Sequence, residues 1–332
     1  MSDKIDFIVT WVDGNDPEWQ NTRNEYLGIK MSEDNAGAQR YRDWDLMRYW
    51  FRGVEKFAPW VNKVYFVTCG QRLEWLNPDH PKLKLVDHKD YMPEDALPTF
   101  NSNAIELGIN KIEGLSDMFI LFNDDFFILD EVKETDFFKS GKPCDFAALD
   151  AIEPSEDFGY ILANNVRVIN ENFSKREVLK KNRSQWYNMK DIKSVIRTLE
   201  LTKPWNKFTG FRDYHTPVAY LKKEFDDMWN LYPELMNATV HSKFRNKENI
   251  SHWLIRYWRL VSGNFVPTSQ NKRTFIPVTD GDNSFLISTI KNQKKSILCI
   301  NDEFSGDDIS KAQKDLKDAF ESILSDKSSF EI

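Results

Sequence analysis

With 332 residues, 41% of them hydrophobic and 29% charged, the chain can bury one large core or two modest ones, which excludes disorder as its default. A net charge of -7 excludes non-specific nucleic-acid binding, because a protein that tracks phosphates needs an excess of Lys and Arg. Aromatic residues reach 14%, more than packing alone asks for, and flat rings suit the C–H faces of sugars.

Cys69, Cys144 and Cys299 are widely spaced and form no CxxC pair, so neither a disulfide framework nor a thiolate zinc site is written here, and reduced thiols are expected. Asp3, Lys4 and Asp6 interrupt the apolar stretch that a signal peptide would need. No run approaches the roughly 18 apolar residues of a membrane span. A cytoplasmic protein is expected, with docking at the inner face of a membrane left open.

In chain order, IDFIVTWV at 5–12 is a β-branched apolar run ending in Asp-Gly, which predicts a buried strand entering the loop DGNDPEW. A helix is predicted over 44–57, with Leu46, Trp50, Val54 and Phe57 on one stripe. Strands follow at 63–68 and 83–87, then a helix over 102–112 with Ile105, Ile109 and Ile112 at near-helical spacing. The strand at 118–123 runs straight into Asp124-Asp125. From about 130 to 210 the pattern weakens, and the basic stretch 174–200 reads as surface helix. His215-Thr216-Pro217 opens a helical run to about Leu231, with Thr216 as N-cap and Pro217 at the first helical position. A helix over 247–261, a strand over 296–300 ending in Asn301-Asp302, and an amphipathic helix over 308–325 close the chain.

Strands alternating with helices predict an α/β fold with a mostly parallel sheet. The expected organisation is a single catalytic unit, its core at about 1–130 and 210–305 and a helical insertion at about 130–210. Ligands bind outside the carboxyl ends of parallel strands, which here carry Asp13, Asn15 and Asp16, then Thr68 and Gly70, then Asn123, Asp124 and Asp125.

Asp124 and Asp125 are the strongest local signal. Two carboxylates at a strand end can hold Mg²⁺ or Mn²⁺ together with diphosphate oxygens. Asp-Asp also occurs in plain solvated turns, but the apolar strand before it and FFIL after it favour a ligand role. Asn301-Asp302 repeats the arrangement, and Asp302 is a candidate further metal ligand. Arg42 and Arg245 are the phosphate candidates, since a guanidinium engages phosphate oxygens in pairs, although an Arg is more often a surface residue. Asp43 reads as a helix cap. Of five histidines, His80 and His252 read as structural. His215, expected at a helix start, could bind phosphate or take a proton from a hydroxyl. Asn101, Ser102 and Glu106 lie on or beside the start of one helix; Ser102 could simply cap it, and Glu106 can project from the same end towards a bound sugar.

Four blocks in order, IDFIVTWVDGNDPEW at 5–19, the stretch from Arg42 through LPTFNSNAIE to ILFNDDFF, HTPVAYLKKEFDDMW to HSKFRNKENISHW over 215–253, and ILCINDEF at 297–304, resemble the Stealth family of phosphotransferases. That group contains bacterial capsular-polysaccharide sugar-1-phosphate transferases and the animal enzyme that begins the mannose-6-phosphate mark on lysosomal enzymes. The resemblance implies a glycosyltransferase-A-like fold, a UDP-sugar donor, a divalent cation and a phosphodiester product. It implies functional weight at Asp13, Arg42, Asn101, Glu106, Asp124, Asp125, His215, Arg245, Asn301 and Asp302. The animal relative carries large regions that this chain lacks, so a bacterial oligosaccharide or lipid-linked glycan fits better as acceptor.

The expected reaction moves hexose-1-phosphate from a UDP-hexose or UDP-N-acetylhexosamine to a glycan hydroxyl and releases UMP. Asp124 and Asp125 would face the metal, Asp13 and Asn15 the nucleotide, and Arg42 and Arg245 the phosphate, with His215 or Glu106 as base. A metal-dependent glycosyltransferase releasing UDP is the nearest rival. A non-catalytic carbohydrate-binding protein is the rival from another class.

Overall fold

Five strands form a central sheet. In the computed structural model, which describes residues 4–28, 41–306 and 308–332, these are β1 Ile5–Thr10, β2 Val64–Thr68, β3 Leu83–Asp87, β4 Met118–Asn123 and β8 Val218–Leu221, in the order β3-β2-β1-β4-β8. The first four are parallel, and β8 runs antiparallel to β4. Thr10 pairs with Asn123 and with Val67, and Thr68 with Asp87, so the carboxyl ends are flush and their loops share one edge. Asp3, used above against a leader segment, lies outside the described residues.

Side chains alternate along a strand, so each buried strand feeds two cores. Ile5, Phe7, Val9, Ile120 and Phe122 face one apolar cluster, while Ile8, Phe119 and Leu121 face the other. Into the first packs α2, Met47–Phe57, through Trp50, Phe51, Val54 and Phe57. A Cβ added at Gly53 would stand 2.7 Å from the carbonyl of Ile128, so only glycine permits this approach. Ahead of it, α1, Pro17–Tyr26, is capped by Asp16, whose carboxylate accepts from the amides of Glu18 and Trp19, with Pro17 in the first turn.

After β4 the chain turns through Asp124 and Asp125 into β5, Phe126–Ile128, which belongs to a second sheet. There β5 pairs antiparallel with β11, Ile297–Asp302, and β11 pairs parallel with β10, Arg273–Val278. The acidic pair is thus the hinge between two sheets. A third small sheet joins β6, Phe138–Lys139, β7, Lys142–Asp145, and β9, Val266–Pro267.

The stretch 130–210 holds α4, Asp157–Asn172, α5, Lys175–Lys181, and α6, Ile192–Thr202. Helices α7, Lys222–Leu231, α8, Pro233–Val240, and α9, Trp253–Ser262, cover the second core, and α10, Ser284–Lys291, and α11, Ser310–Glu321, cover the first. No helix among the described residues is long and apolar enough to cross a membrane.

Several boundaries differ from expectation. The helix expected from Thr216 begins only at Lys222, because Val218–Leu221 pairs with Met118–Leu121 and buries its apolar side chains there. Pro217 has no amide hydrogen to lose at a strand start, so tertiary pairing overrides the Thr-Pro helix signal. The 102–112 helix is α3, Ser102–Leu107, followed after Gly108 by a short 3₁₀ turn at Ile109–Lys111. Its cap is Asn101 rather than Ser102. The 247–261 helix starts at Trp253. Asn301 and Asp302 lie within the end of β11, opposite Pro277 and Val278, rather than after it. The cap of α2 is Leu46, and Asp43 accepts instead from the amide of Asp45.

Candidate active site

At the hinge between the sheets, Asp125 meets His215 and Cys299. His215 Nε2 stands 3.6 Å from Asp125 Oδ2, and the Cys299 thiol donates to the same oxygen at 3.3 Å. Asp125 Oδ1 is buried with no partner among the described residues. His215 does not sit at a helix start. It lies in the loop before β8 with φ of 44°, and this left-handed backbone turns its ring edge-on to Phe126 and Phe275, at centroid distances of 5.0 and 6.0 Å. Burial alone would lower the His215 pKa, but the bond and charge of Asp125, then Glu106 and Asp213, raise it above its ordinary value.

Glu106 projects from α3 into the same cluster and is buried. Burial pushes its carboxyl up to about 7, against the pull of Arg245 and His215. Arg245 Nη2 donates to Ser102 Oγ at 2.6 Å, and its guanidinium lies 5.6 Å from the centre of the Phe158 ring. On the far side of Glu106, His252 Nε2 is 3.6 Å from Oε2 and its Nδ1 is 2.7 Å from the Tyr220 hydroxyl. Burial, then the positive charges of His215, Arg256 and Arg259, hold the His252 pKa down to about 3, so this ring is neutral. Five expected residues, His215, Asp125, Glu106, Arg245 and Ser102, therefore converge.

A second group is acidic. Asp124 follows β4 and is exposed to solvent. The protein around it displaces water, and the charges of Asp125 and Asp43 add to this, raising its pKa. The like charges are the firmer cause for so exposed a group. Asp43 is pushed up to about 6 by burial first, then by Asp45 and Asp13, with Lys317 opposing. Asp13 is fixed by Gln71, whose Oε1 accepts from the Asp13 amide at 2.8 Å and whose Nε2 donates to the Asp13 carbonyl at 3.0 Å. The exposed Asn15 donates its amide to Asp13 Oδ1 at 2.8 Å.

The remaining expected residues are engaged within the protein. Arg42 donates to Asp302 Oδ1 and to the carbonyls of Phe304 and Gly306, at 3.4, 3.1 and 3.2 Å. Asp302 also accepts from Trp44 Nε1 at 3.0 Å, and Asn301 donates to Glu303 at 3.1 Å. Asn101 is fully buried, and its Nδ2 donates to Asn249 Oδ1 at 2.9 Å and to the carbonyls of Ser242 and Phe244, tying α3 to the loop that carries Arg245. Asp43, Gln71 and Asp213 were not among the expected site residues. Asp43 lies next to Arg42 in sequence, but its cap-like context masked it; nothing local marks Gln71 or Asp213. A groove of about 490 Å³ between Ile152, Arg167, Lys207 and Thr209 shares none of these residues.

The residues fit a divalent cation. Asp125 offers a buried carboxylate oxygen with no partner among the described residues, and Asp124 stands beside it under the like charges of Asp125 and Asp43, which backbone hydrogen bonds offset only in part. The ligand atoms of Asp125, His215 and Cys299 lie within 4.8 Å of one another. Burial, with the charge of Asp125, pushes the Cys299 thiol well up, so it remains a donor, and oxygen is the donor that a hard cation takes.

The amino-acid sequence matches the family model described as Stealth protein CR1, conserved region 1, over residues 3–31 and that of Stealth protein CR2, conserved region 2, over 40–145. It is 42% identical over 331 residues to the capsular polysaccharide phosphotransferase WcwK of Streptococcus pneumoniae, covering 99% of this chain and 98% of that one. It is 42% identical over 332 residues to the exopolysaccharide phosphotransferase cps2G of Lactiplantibacillus plantarum, covering 98% and 96%. The receptor polysaccharide phosphotransferase WefC of Streptococcus oralis is 37% identical over 334 residues, with 99% of each covered. A solved bifunctional glycosyltransferase, WbbM, overlaps 96% of this chain and 50% of its own with a TM-score of 0.40 and 11% identity, too distant for any chemistry to follow. An α/β phosphotransferase with an acidic strand-end site is the class that these findings define. The chain belongs to the Stealth family.

Proposed function

We propose that the enzyme transfers hexose-1-phosphate from a UDP-sugar to a hydroxyl of a capsular or cell-surface glycan, forming a phosphodiester and releasing UMP. The observation that carries this reading is the Asp125–His215 pair set beside Glu106 and Arg245 at the carboxyl edge of the sheet. The relatives' names, all polysaccharide phosphotransferases, support it.

Asp125 orients His215 through Nε2, which leaves Nδ1 to take the proton of the acceptor hydroxyl as its oxygen attacks phosphorus. The phosphoanhydride to UMP then breaks and the sugar–oxygen bond survives. Arg245, steadied by Ser102, holds oxygens of the transferred phosphate. Glu106, with its raised pKa, receives a donor-sugar hydroxyl and is the alternative base. Asp13 and Asn15 face the nucleotide. Asp124 and Asp125 would hold a Mg²⁺ or Mn²⁺, which would supply charge neutralisation for the leaving UMP. Arg42 and Asp302, committed to each other, brace the loop that follows β11.

Incubation with a panel of UDP-sugars and an oligosaccharide or lipid-linked acceptor tests the reading. Chromatography should find UMP, and phosphorus NMR a sugar–phosphate–sugar diester. UDP with a phosphorus-free product would replace this reaction with ordinary glycosyl transfer.

A further inference from the structure

We propose that the face formed by Met189, α6 and Trp205 docks the enzyme on an anionic lipid surface. This inference stands apart from the choice of donor. Ile192, Ile196 and Leu199 follow one another at helical spacing on the outer side of α6, while Val195, Thr198 and Leu201 are buried on its inner side. With Met189 and Trp205 they form an apolar face whose members run from 49% exposed at Trp205 to 69% at Met189. Isolated exposed apolar residues need no explanation, but a stripe of this kind does.

The stripe is held from behind. Lys175 Nζ donates to the carbonyls of Leu201 and Thr202 at 3.1 and 3.2 Å and also to that of Trp205, which fixes the end of α6 and the turn that presents the indole. Arg197 binds Asp150 at 2.7 Å, and Thr198 accepts from the amide of Leu149 at 3.2 Å. Outward apolar side chains on so firmly seated a helix are therefore not the product of fraying.

Charge identifies the occupant. Residues 174–207 carry ten Lys or Arg against three Asp or Glu, whereas the rest of the chain carries 35 against 49. Lys190, Lys193 and Lys203 are exposed and flank the stripe. A protein partner would favour a face depleted of lysine. Apolar side chains rimmed by lysine, with a Trp at the edge, match the boundary between headgroups and acyl chains of a bilayer rich in acidic lipid. The rest of the chain carries a net negative charge, which the same surface repels.

Cosedimentation with vesicles of phosphatidylcholine and phosphatidylglycerol, against phosphatidylcholine alone, tests the proposal. The chain should bind the acidic vesicles and leave them at high salt. Ile196→Glu with Leu199→Glu, and separately Lys190→Glu with Lys193→Glu and Lys203→Glu, should each weaken binding by about tenfold or more. Nucleotide release with a soluble oligosaccharide acceptor should stay at the parent rate in both variants, which shows that they are folded and separates this test from that of the reaction. Absence of binding to acidic vesicles, or unchanged binding by the variants, overturns the proposal. So does a dimer in sedimentation equilibrium that Ile196→Glu with Leu199→Glu dissolves, since the stripe would then join two copies of the chain.

Discussion

His215 Nε2 and Asp125 Oδ2 lie 3.6 Å apart although 90 residues separate them, and the contact exists because the loop before β8 brings His215 over the turn between β4 and β5. The carboxylate fixes the direction of the ring and raises its pKa. Asp125→Asn keeps an oxygen for the Cys299 thiol but removes the charge. The expected outcome is a lower His215 pKa, read by NMR of the ring protons, together with a fall in kcat of about 10² to 10⁴. A variant with the parent kcat would remove His215 and Asp125 from the chemistry.

The acidic group around Asp124 makes a prediction that needs no turnover. Isothermal titration with Mn²⁺ should detect one site. Asp124→Asn should weaken it by at least about tenfold, since loss of even an outer-shell partner of a metal costs roughly that much. Asp302→Asn, whose partners are Arg42 and Trp44, should leave the affinity close to that of the parent. Equal weakening by both would bring Asp302 to the cation.

Much of this arrangement was legible in the sequence, and the parts that were not have physical reasons. The strands β1 to β4 could be read because each is a short run rich in apolar and β-branched residues, and Asp124-Asp125 because it directly follows one of them. His215 was found for a reason that does not hold, since Thr-Pro signals a helix start only when no strand competes for the residues after it. Asp43 was taken for a cap because caps and ligands are the same residue types. Arg42 and Asp302 are 260 residues apart, and no local pattern encodes a pair that two separate elements create. Asp145 lay in the stretch that carried no readable chemistry, yet it binds Arg256 and Arg259 at 2.9 and 2.7 Å behind the site, where Arg256 also pairs with Asp213.

The carboxyl end of the chain should control acid stability. Arg52, in α2, donates from Nε to Glu331 Oε1 at 2.8 Å, and Arg48 adds a second contact at 3.1 Å. Burial alone would raise the Glu331 pKa, but Arg52, the Ser328 amide and Arg48 bring it down to about 2. A depressed carboxylate contributes stability that is full above its unfolded pKa, near 4.5, and is lost as pH falls towards 2. Glu331→Gln should cost about 2 kcal/mol at neutral pH, because the buried charge opposite Arg52 is lost while a hydrogen bond remains. Thermal melts should show the gap between parent and variant closing below about pH 4. A gap constant from pH 7 to pH 3 would show that the pairing does not contribute.

The identity of the base is decided by His215→Ala and Glu106→Gln together. Both groups lie in one cluster, and each raises or lowers the other's pKa through its charge. Their surroundings differ, however. His215 is partly open to solvent, with one ring nitrogen on Asp125 and the other without a partner among the described residues, as a group must be if it is to meet an incoming hydroxyl. Glu106 is buried between Arg245 and the neutral His252, a setting that suits a fixed hydrogen bond to a sugar better than a proton that must come and go. His215→Ala should therefore lower kcat by about 10² to 10⁴ with little change in donor affinity. Glu106→Gln should act mainly on KM for the donor, by about tenfold, the scale of one hydrogen bond to a charged group. If His215→Ala instead weakens donor binding while kcat survives, and Glu106→Gln abolishes kcat, the roles exchange: His215 holds the phosphate and Glu106 takes the proton.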